Sequence, residues 1–300
     1  MILLMSAGGR PSFAELALLS RRGRRDAIEA IYRAGSGHPG SALSTMDVLV
    51  ALYHGGLLRH DPKKPDWDER DYFLLSNGHA APGLYAVLAH RGYFPVADLV
   101  TGLRKLGTGF QGHPKRGMLP GVEISSGSLG QGLGLGIGLA QSLRLRGKKN
   151  RVVVLMSDGE QEEGSTWEAV MFGAKLKPPN LLAIVDKNGM QIDGPTKDVM
   201  PSLDPLGAKY QAFGWDVLEV DGHNVEQLLA EIPAGFENGA RGRPTVIISH
   251  TVRGHGVSFM ENSPKWHAGK ITPEQFAQAE RELVGNPNTE IRNPQHIRNL

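Results

Sequence analysis

The sequence predicts an α/β fold in which helices cover both faces of a mostly parallel sheet, giving three layers. The main evidence is a β-α-β unit, in which the apolar runs Val152–Met156 and Leu181–Val185 flank a segment with apolar residues at three- and four-residue steps. Such apolar, β-branched runs are typical of strands buried on both faces of a parallel sheet. The 39 glycines suit a fold with many tight turns.

Before this unit, the pattern predicts one short strand and several helices. The strand is Tyr72–Leu75. We expect a glycine-rich helix to run from about residue 132 to 146, with glycines 132, 134, 136 and 138 on one closely packed face. The other predicted helices cover residues 12–34, 44–53, 81–91 and 98–105, and the segment 35–40 is predicted as a loop.

After the unit, the chain supplies two more strands and two helices. The strands are predicted at residues 214–220 and 244–249, and the helices at 224–232 and 273–284. We expect one domain over residues 1–285. The polar segment 286–300 is predicted to be a disordered end or an arm that contacts a partner.

Composition excludes several classes of function. The net charge of +2, from 33 basic and 31 acidic residues, gives no general argument for nucleic-acid binding. The basic cluster of residues 21–25 has no interleaved aromatics, which favours a solvated helix face. The chain has no cysteine, no run long enough to span a membrane and no basic region before its first apolar patch. We therefore expect a cytoplasmic protein.

Polar side chains follow both strands of the β-α-β unit. Asp158 comes directly after the first strand and Asn188 shortly after the second. Because parallel strands end at the same edge of a sheet, their oxygen atoms should converge there, where they suit a hard cation such as Mg²⁺ or Ca²⁺. Gly159 lets a phosphate approach the backbone at the start of the following helix. The expected site is a metal-bridged diphosphate.

These residues resemble a known cofactor motif. SDGE, followed about thirty residues later by Asn188, resembles the thiamine-diphosphate-binding motif, and DGEQEEGSTWEA…IVDKNGMQIDG is similar to transketolase. Between residues 12 and 270 the family's other motifs follow in the same order: SGHPG, LSNGHA, GHP, GSLGQG and WH. Ser157 replaces the leading glycine of the motif, and Ser128 stands where proline is usual.

Four histidines lie in loops rich in Gly, Pro or Ser: His38, His79, His113 and His267. A neutral imidazole there can exchange protons with a polyol. The alternative is that these histidines are ordinary surface residues. The resemblance implies that His38, His113 and His267 are catalytic, and that His79 and His267 contact the cofactor. It implies that Asp158, Asn188 and the carbonyl of Met190 bind the metal, and that Gly159 and Asn188 lie at the diphosphate. It also places Gly127 and Leu129 at the aminopyrimidine, and Glu163 and Glu168 at the cofactor site near a subunit interface.

The resemblance implies half of an active site, with thiamine diphosphate and Mg²⁺ or Ca²⁺ as cofactors. A second chain would carry the pyrimidine-binding and C-terminal domains, with two copies of each chain, and sugars or sugar phosphates as substrates. The alternatives are half of a 1-deoxyxylulose-5-phosphate synthase or 2-oxo-acid dehydrogenase, or a non-catalytic paralogue. The WEA and WH motifs argue against the first two. The intact Asp158–Asn188 pair argues against the third.

Overall fold

The computed structural model describes residues 11–284. Its seven strands are β1 (Tyr72–Leu75), β2 (Val152–Ser157), β3 (Leu181–Lys187), β4 (Met190–Gln191), β5 (Gly194–Pro195), β6 (Asp216–Asp221) and β7 (Thr245–His250). Five of them form one sheet in the order β1-β2-β3-β7-β6, and every neighbouring pair in it is parallel. Strands β4 and β5 form a separate antiparallel hairpin.

The α-helices of the described residues include a long first helix and several short ones. They are α1 (Phe13–Ala34), α2 (Pro39–Ser44), α3 (Met46–Tyr53), α4 (Ala81–His90), α5 (Val96–Gly102), α6 (Gly132–Leu145), α7 (Gly164–Leu176), α8 (Thr196–Val199), α9 (Leu206–Ala212), α10 (Val225–Ala240) and α11 (Pro273–Val284). None of the helices within residues 11–284 is both long and apolar enough to cross a membrane.

Alternate residues of the central strands face two separate cores. In β2, Val153 and Leu155 join the core that includes α1, α3, α4 and α10, whereas Val152 and Val154 join the core beneath α6 and α7. Side chains alternate across a strand, so a strand that is apolar throughout must be covered on both faces. The predicted three-layer α/β fold is confirmed.

All five parallel strands end at the same edge of the sheet. Five loops therefore meet there: those after Leu75, Ser157, Lys187, Asp221 and His250. In open α/β sheets ligands bind outside the carboxyl ends of the strands. This edge is where the chemistry-bearing residues of the chain are collected.

The basic cluster of residues 21–25 is only partly a solvated face, so that prediction was wrong for one residue. Arg24 is buried and pairs with the buried Asp47 of α3, while its Nε donates to the carbonyl of Leu43 at 3.0 Å. Arg22, by contrast, is exposed. Charge alone could not separate the two, because the partner of Arg24 comes from a different helix.

The four glycines of α6 do not share one packed face. A Cβ atom on Gly132 or Gly136 would overlap Ser76 or Val154, so these two lie against the sheet. Gly138 has no atom within 4 Å of such a Cβ, and Gly134 only one at 3.9 Å. Residues two positions apart point to different sides of a helix. Gly132 and Gly136, four positions apart, therefore face the sheet together, while Gly134 and Gly138 face away from it.

Several predicted boundaries differ from those observed. Helix α10 continues through Pro233 to Ala240, well past the predicted end at residue 232, because its buried face extends to Phe236 and Gly239. Helix α2 occupies part of a predicted loop, and neither α9 nor the β4–β5 hairpin was predicted. The proposed boundary at 285 and the tail 286–300 lie outside the described residues.

Candidate functional site

Asp158 and the turn after β3 lie against each other at the sheet edge. Asp158 Oδ1 accepts the N–H of Gly159 at 2.9 Å, and its Oδ2 accepts the N–H of Gly189 at 2.6 Å. The side chain is 1% exposed. The carboxylate is therefore placed between the tips of β2 and β3, as the β-α-β unit predicted.

Asn188 is oriented by Asp186, the last buried residue of β3. Its Nδ2 donates to Asp186 Oδ2 at 3.0 Å, and its Oδ1 accepts the N–H of Met190 at 3.1 Å. Because a carboxylate only accepts hydrogen bonds, Asp186 fixes which end of the amide carries the oxygen. The oxygen of Asn188 therefore faces the turn that carries Met190.

Burial shifts the pKa of both carboxyl groups at this edge in the same direction. Burial, followed by the charge of Asp186, raises the pKa of Asp158 to about 7. Burial likewise raises the pKa of Asp186, although Thr251, Ser44 and Asn188 all donate hydrogen bonds to it. A cation would relieve this repulsion, and the donor set consists of oxygen atoms only. These residues fit a hard divalent cation.

All four predicted loop histidines come together next to this edge. The ring of His38 is the centre of the group, with centroids 5.7 Å from His79, 5.3 Å from His113 and 5.4 Å from His267. His79 and His267 are 5.3 Å apart. Their loops are separated by up to 229 positions in the chain (267 − 38), yet the fold assembles them into one cluster.

The cluster is uncharged near neutral pH. Burial, with smaller contributions from neighbouring cations, lowers the pKa of His38 and of His267 to about 4. Burial also lowers the pKa of His113, and lowers that of His79 well below its ordinary value. Neutral imidazoles can both donate and accept protons, which is what a hydroxyl-rich substrate requires.

The loop before α6 packs beside the histidines. Gly127 adopts a φ of 141°, and a Cβ there would lie 3.2 Å from the ring of His113. Leu129, two residues further along the same loop, is half-buried. The loop is tied down by the fully buried Glu160, which accepts the N–H of Gly130 at 2.9 Å. Gly127 and Leu129 thus lie on a fixed segment of backbone next to the cluster.

Glu163 lies against the loop before α6, where a Cβ atom on Gly130 would come within 2.7 Å of its side chain, and Glu168 lies on α7. Both are exposed, one just before α7 and one within it. Nearby on α6 and α7 are three exposed apolar side chains that together define what we call the α6–α7 face: Leu135, Met171 and Phe172, each about half exposed at 50%, 52% and 51%. The structure does not bring the two glutamates into the histidine cluster.

Besides Asp186, three polar residues beside the histidines were not predicted. Arg253 is 1% exposed, donates to Nδ1 of His267 and to the carbonyl of Gln191 at 3.3 Å, and contributes to the low pKa of both His38 and His267. Ser41 Oγ shares a 2.9 Å hydrogen bond with His79 Nε2. Arg104 lies close enough to His38 and His113 to lower their pKa. Ser41 directly follows the SGHPG motif, and Arg253 lies in the same long segment as the WH motif; this closeness to motif residues was the available signal.

The amino-acid sequence matches the family model described as "Transketolase, thiamine diphosphate binding domain" over residues 18–299. The chain is 39% identical over 260 residues to the 6-deoxy-6-sulfo-D-fructose transketolase subunit SqwG of Clostridium sp. (strain MSTE9), covering 87% of this chain and 93% of that protein. It is 40% identical over 269 residues to an apulose-4-phosphate transketolase subunit of Phocaeicola vulgatus, covering 89% and 93%.

The fold matches solved transketolase structures. The superposition on transketolase from Campylobacter jejuni has a TM-score of 0.83 at 28% identity and covers 93% of this chain and 44% of the other. For a transketolase mutant from Pichia stipitis, the TM-score is 0.81 at 31% identity, with 92% and 42% covered. The chain therefore spans less than half the length of these solved transketolases.

Proposed function

This chain belongs to the transketolase family through its thiamine diphosphate binding domain, and we propose that it is the diphosphate- and metal-binding subunit of a two-chain transketolase. The reaction is the reversible transfer of a two-carbon ketol unit from a ketose to an aldose. The observation that carries the proposal is the placement of Asp158 and Asn188 at the sheet edge, directly beside four neutral histidines.

Asp158, Asn188 and the backbone carbonyl of Met190 would hold the metal, Mg²⁺ or Ca²⁺. Gly159 would let the diphosphate approach, and the buried cation Arg253 adds positive charge on the same side. Gly127 and Leu129 would support the aminopyrimidine end through their backbone. When bound, thiamine diphosphate supplies the carbon nucleophile of the reaction.

The histidines would handle protons and orient the sugar. His38, His113 and His267 would donate hydrogen bonds to substrate oxygens and move protons between them, while His79 and His267 also border the cofactor. Arg253, which donates to Nδ1 of His267, leaves that ring's Nε2 as the atom that carries the proton toward substrate. Loss of one such group lowers turnover by about 10²–10⁴-fold.

The second chain is inferred from the relatives and from the surface. Two relatives that this chain covers almost completely are named as subunits, whereas the single-chain transketolases are more than twice as long. The α6–α7 face, together with Glu163 and Glu168, offers an apolar area with an acidic margin. We place the pyrimidine-binding chain there, with two copies of each chain in the assembly.

The relatives' names point to the class of substrate. They refer to a ketose that carries a sulfonate and to one that carries a phosphate. We propose that the ketose donor of this enzyme likewise ends in an anionic group, and that the chain works in the cytoplasm, as the absence of cysteine suits.

The test is reconstitution. The purified chain should show no ketol transfer with a ketose phosphate, an aldose phosphate, thiamine diphosphate and Mg²⁺, and should gain it when co-expressed with the transketolase-like chain from its own genome. Robust transfer by the chain alone would refute the two-subunit proposal. A complex that binds the cofactor but transfers no ketol unit from any of these sugars would favour another thiamine-diphosphate enzyme or a non-catalytic paralogue.

A further inference from the structure

A partly buried cluster of charged and titratable side chains, which none of the roles above uses, lies next to the candidate site. It consists of Arg24, Asp47, His223 and His255, contributed by α1, α3 and the loops after β6 and β7. Asp47, His223 and His255 bring three possible metal-ligand atoms within 4.8 Å of one another. The hydrogen bonds of the cluster show whether these residues are suited to bind a metal ion or have a structural role.

The bonds of Asp47 define the state of His223. Burial alone would raise the pKa of Asp47, but Arg24 and the hydrogen bond from His223 hold it below its usual range. Asp47 is therefore an ionised acceptor, and the His223 Nδ1 that lies 2.8 Å from its Oδ2 must carry a proton. The other ring nitrogen, Nε2, then has a free electron pair and accepts the N–H of Val252 at 2.8 Å.

These bonds leave too few atoms for a metal, because Nδ1 of His255, 3.5 Å from Glu261 Oε1, lacks a hydrogen-bond partner but the ligand atoms of Asp47 and His223 are in use. Both nitrogens of His223 already have partners, and Asp47 is paired with Arg24 through both oxygens. The ring of His255 stacks on that of His223, with centroids 3.7 Å apart, and so packs against one face of the His223 imidazole. The cluster therefore fits a fixed neutral imidazole whose one acceptor atom is occupied by a backbone N–H.

The turn that carries His223 is built to place it. Asp221 Oδ1, at the end of β6, accepts the backbone N–H of His223 at 2.9 Å. Gly222 passes so close to the end of β7 that a Cβ there would overlap Ser249 and Thr251. The turn thus presses His223 against the segment that follows β7.

That segment, Thr251–Arg253, reaches the candidate site on both sides of the peptide that His223 holds. Thr251 donates to Asp186, which orients the amide of Asn188. Arg253 donates to His267 and to the carbonyl of Gln191. One hydrogen bond to Val252 therefore holds the backbone between two groups that act on different parts of the site.

We propose that His223 is a positioning residue: held by Asp47, it accepts the N–H of Val252 and so fixes segment Thr251–Arg253 against the metal and histidine groups. The inference rests on the proposed function for its effect on cofactor binding, but not for its effect on the segment itself. Residues that orient metal ligands from behind typically change metal affinity by about 10–100-fold when lost.

Two substitutions separate the bonds of the imidazole. His223→Asn keeps a donor near the Nδ1 position for Asp47 and removes the acceptor for Val252. His223→Gln keeps an acceptor near the Nε2 position and removes the donor to Asp47. If the bond to Val252 is the one that matters, Gln rescues and Asn does not. If His223 serves only to neutralise Asp47, the order is reversed.

The first measurement is hydrogen–deuterium exchange of the full chain without cofactor. Amides of residues 251–253 should exchange at least tenfold faster in His223→Asn, and within about threefold of wild type in His223→Gln. Equal exchange in both variants, or the opposite order, would overturn the proposal. ¹⁵N spectra of wild-type His223 must show the proton on Nδ1; a proton on Nε2, or stoichiometric zinc lost in His223→Asn, would also overturn it.

The second measurement is thiamine diphosphate affinity of the chain with its partner chain in Mg²⁺, by calorimetry. We expect a Kd about 10–100-fold higher for His223→Asn and close to wild type for His223→Gln. If the wild-type pair does not bind thiamine diphosphate, the proposed function fails, and the exchange experiment still decides the role of His223. If the wild type binds and both variants match it, the effect of His223 on the site is refuted.

Discussion

At the scale of residues, the site depends on buried carboxyl groups whose burial the charge of Arg253 offsets only in part. Asp158 and Asp186 are 1% and 0% exposed and lie next to each other, and burial raises the pKa of both. Such an arrangement is unfavourable in the absence of a cation, because two buried carboxylates repel each other. Stability is given up here for binding, as is common at functional sites.

Asp158→Asn should abolish Mg²⁺-dependent thiamine diphosphate binding and remove the pH dependence that Asp158 gives to the stability of the metal-free chain. The raised pKa of about 7, against an ordinary 3.8, means that wild type loses stability as pH rises from about 4 to about 7, because the folded state holds a proton that the unfolded state releases. Asparagine also loses one of the two hydrogen bonds that Asp158 accepts from Gly159 and Gly189, at every pH. In EDTA the difference between the Tm of the variant and that of wild type should therefore shift in favour of the variant between pH 4 and pH 8.

Calorimetric titration of the cofactor and melting curves at both pH values check this prediction. Asp198→Asn makes the same change of charge on an exposed residue and serves as the control. Unchanged cofactor affinity in Asp158→Asn would remove Asp158 from the metal site.

The histidine cluster should make the chain sensitive to acid. Since burial lowers the pKa of His38 and His267 to about 4, below the ordinary 6.5, the unfolded chain takes up protons first as the pH falls. Above pH 6.5 these two histidines are neutral in both states and do not lower the free energy of unfolding. As the pH falls toward 4, protonation of the unfolded chain lowers it progressively. His38→Phe should therefore show a smaller loss of denaturant midpoint between pH 7 and pH 5 than wild type does.

Denaturant unfolding at the two pH values measures that difference, and proton NMR of the imidazole Cε1–H groups gives the titrations directly. A His38 resonance that titrates near 6.5 in the folded chain would contradict the expected neutral cluster.

At the scale of elements, α6 shows how one helix serves two surfaces. Its sheet side needs small residues, since Gly132 and Gly136 contact Ser76 and Val154. Its outer side leaves Gly138 open and Leu135 half exposed. The loop before α6 carries Gly127 and Leu129. The position of α6 against the sheet therefore also sets the position of the backbone that is predicted to contact the aminopyrimidine.

Gly136→Ala should destabilise the chain, because its Cβ would overlap the Val154 methyl group. Overpacking of this kind costs about 1–3 kcal/mol, more than the roughly 0.5–1 kcal/mol that alanine gains over glycine within a helix. Gly138→Ala meets no atom within 4 Å and should stabilise the chain by about 0.5–1 kcal/mol. Urea unfolding of both variants tests the contrast. Equal effects would mean that α6 does not pack as described.

At the scale of the whole molecule, the carboxyl edge of the sheet and the α6–α7 face have different roles. The edge collects the charged and titratable groups, whereas the α6–α7 face carries Leu135, Met171 and Phe172 in the open. Exposed apolar patches on a protein surface mark interaction sites. In the proposed enzyme this face is covered by the second chain.

Phe172→Asp should weaken assembly with that chain while leaving the fold of this one intact. A buried interface aromatic contributes about 2 kcal/mol or more, so the dissociation constant should rise by roughly 30-fold or more. Leu18→Asp, which changes another exposed apolar residue (40% exposed) on α1, should have no effect on assembly. Analytical ultracentrifugation of the mixed chains measures both. Assembly of Phe172→Asp at wild-type affinity would move the interface elsewhere.

The amino-acid sequence by itself determined the parallel α/β sheet and the convergence of Asp158 and Asn188. Both follow from local rules, since two apolar runs with a helical pattern between them strongly favour a right-handed parallel unit whose strand ends share one edge. The motif order also identified the four histidines. Their neutrality, by contrast, came from burial in the assembled fold.

Only the tertiary structure decided what depends on partners far apart in the chain. It showed that Arg24 is buried against Asp47, that two glycines of α6 face outward, that Arg253 bonds to His267, and that His223 accepts the N–H of Val252. The bond between His223 and Val252 spans 29 residues and the pair of Arg24 and Asp47 spans 23. Periodicity and spacing report only local preferences, whereas burial and hydrogen bonding depend on which elements the completed fold brings together.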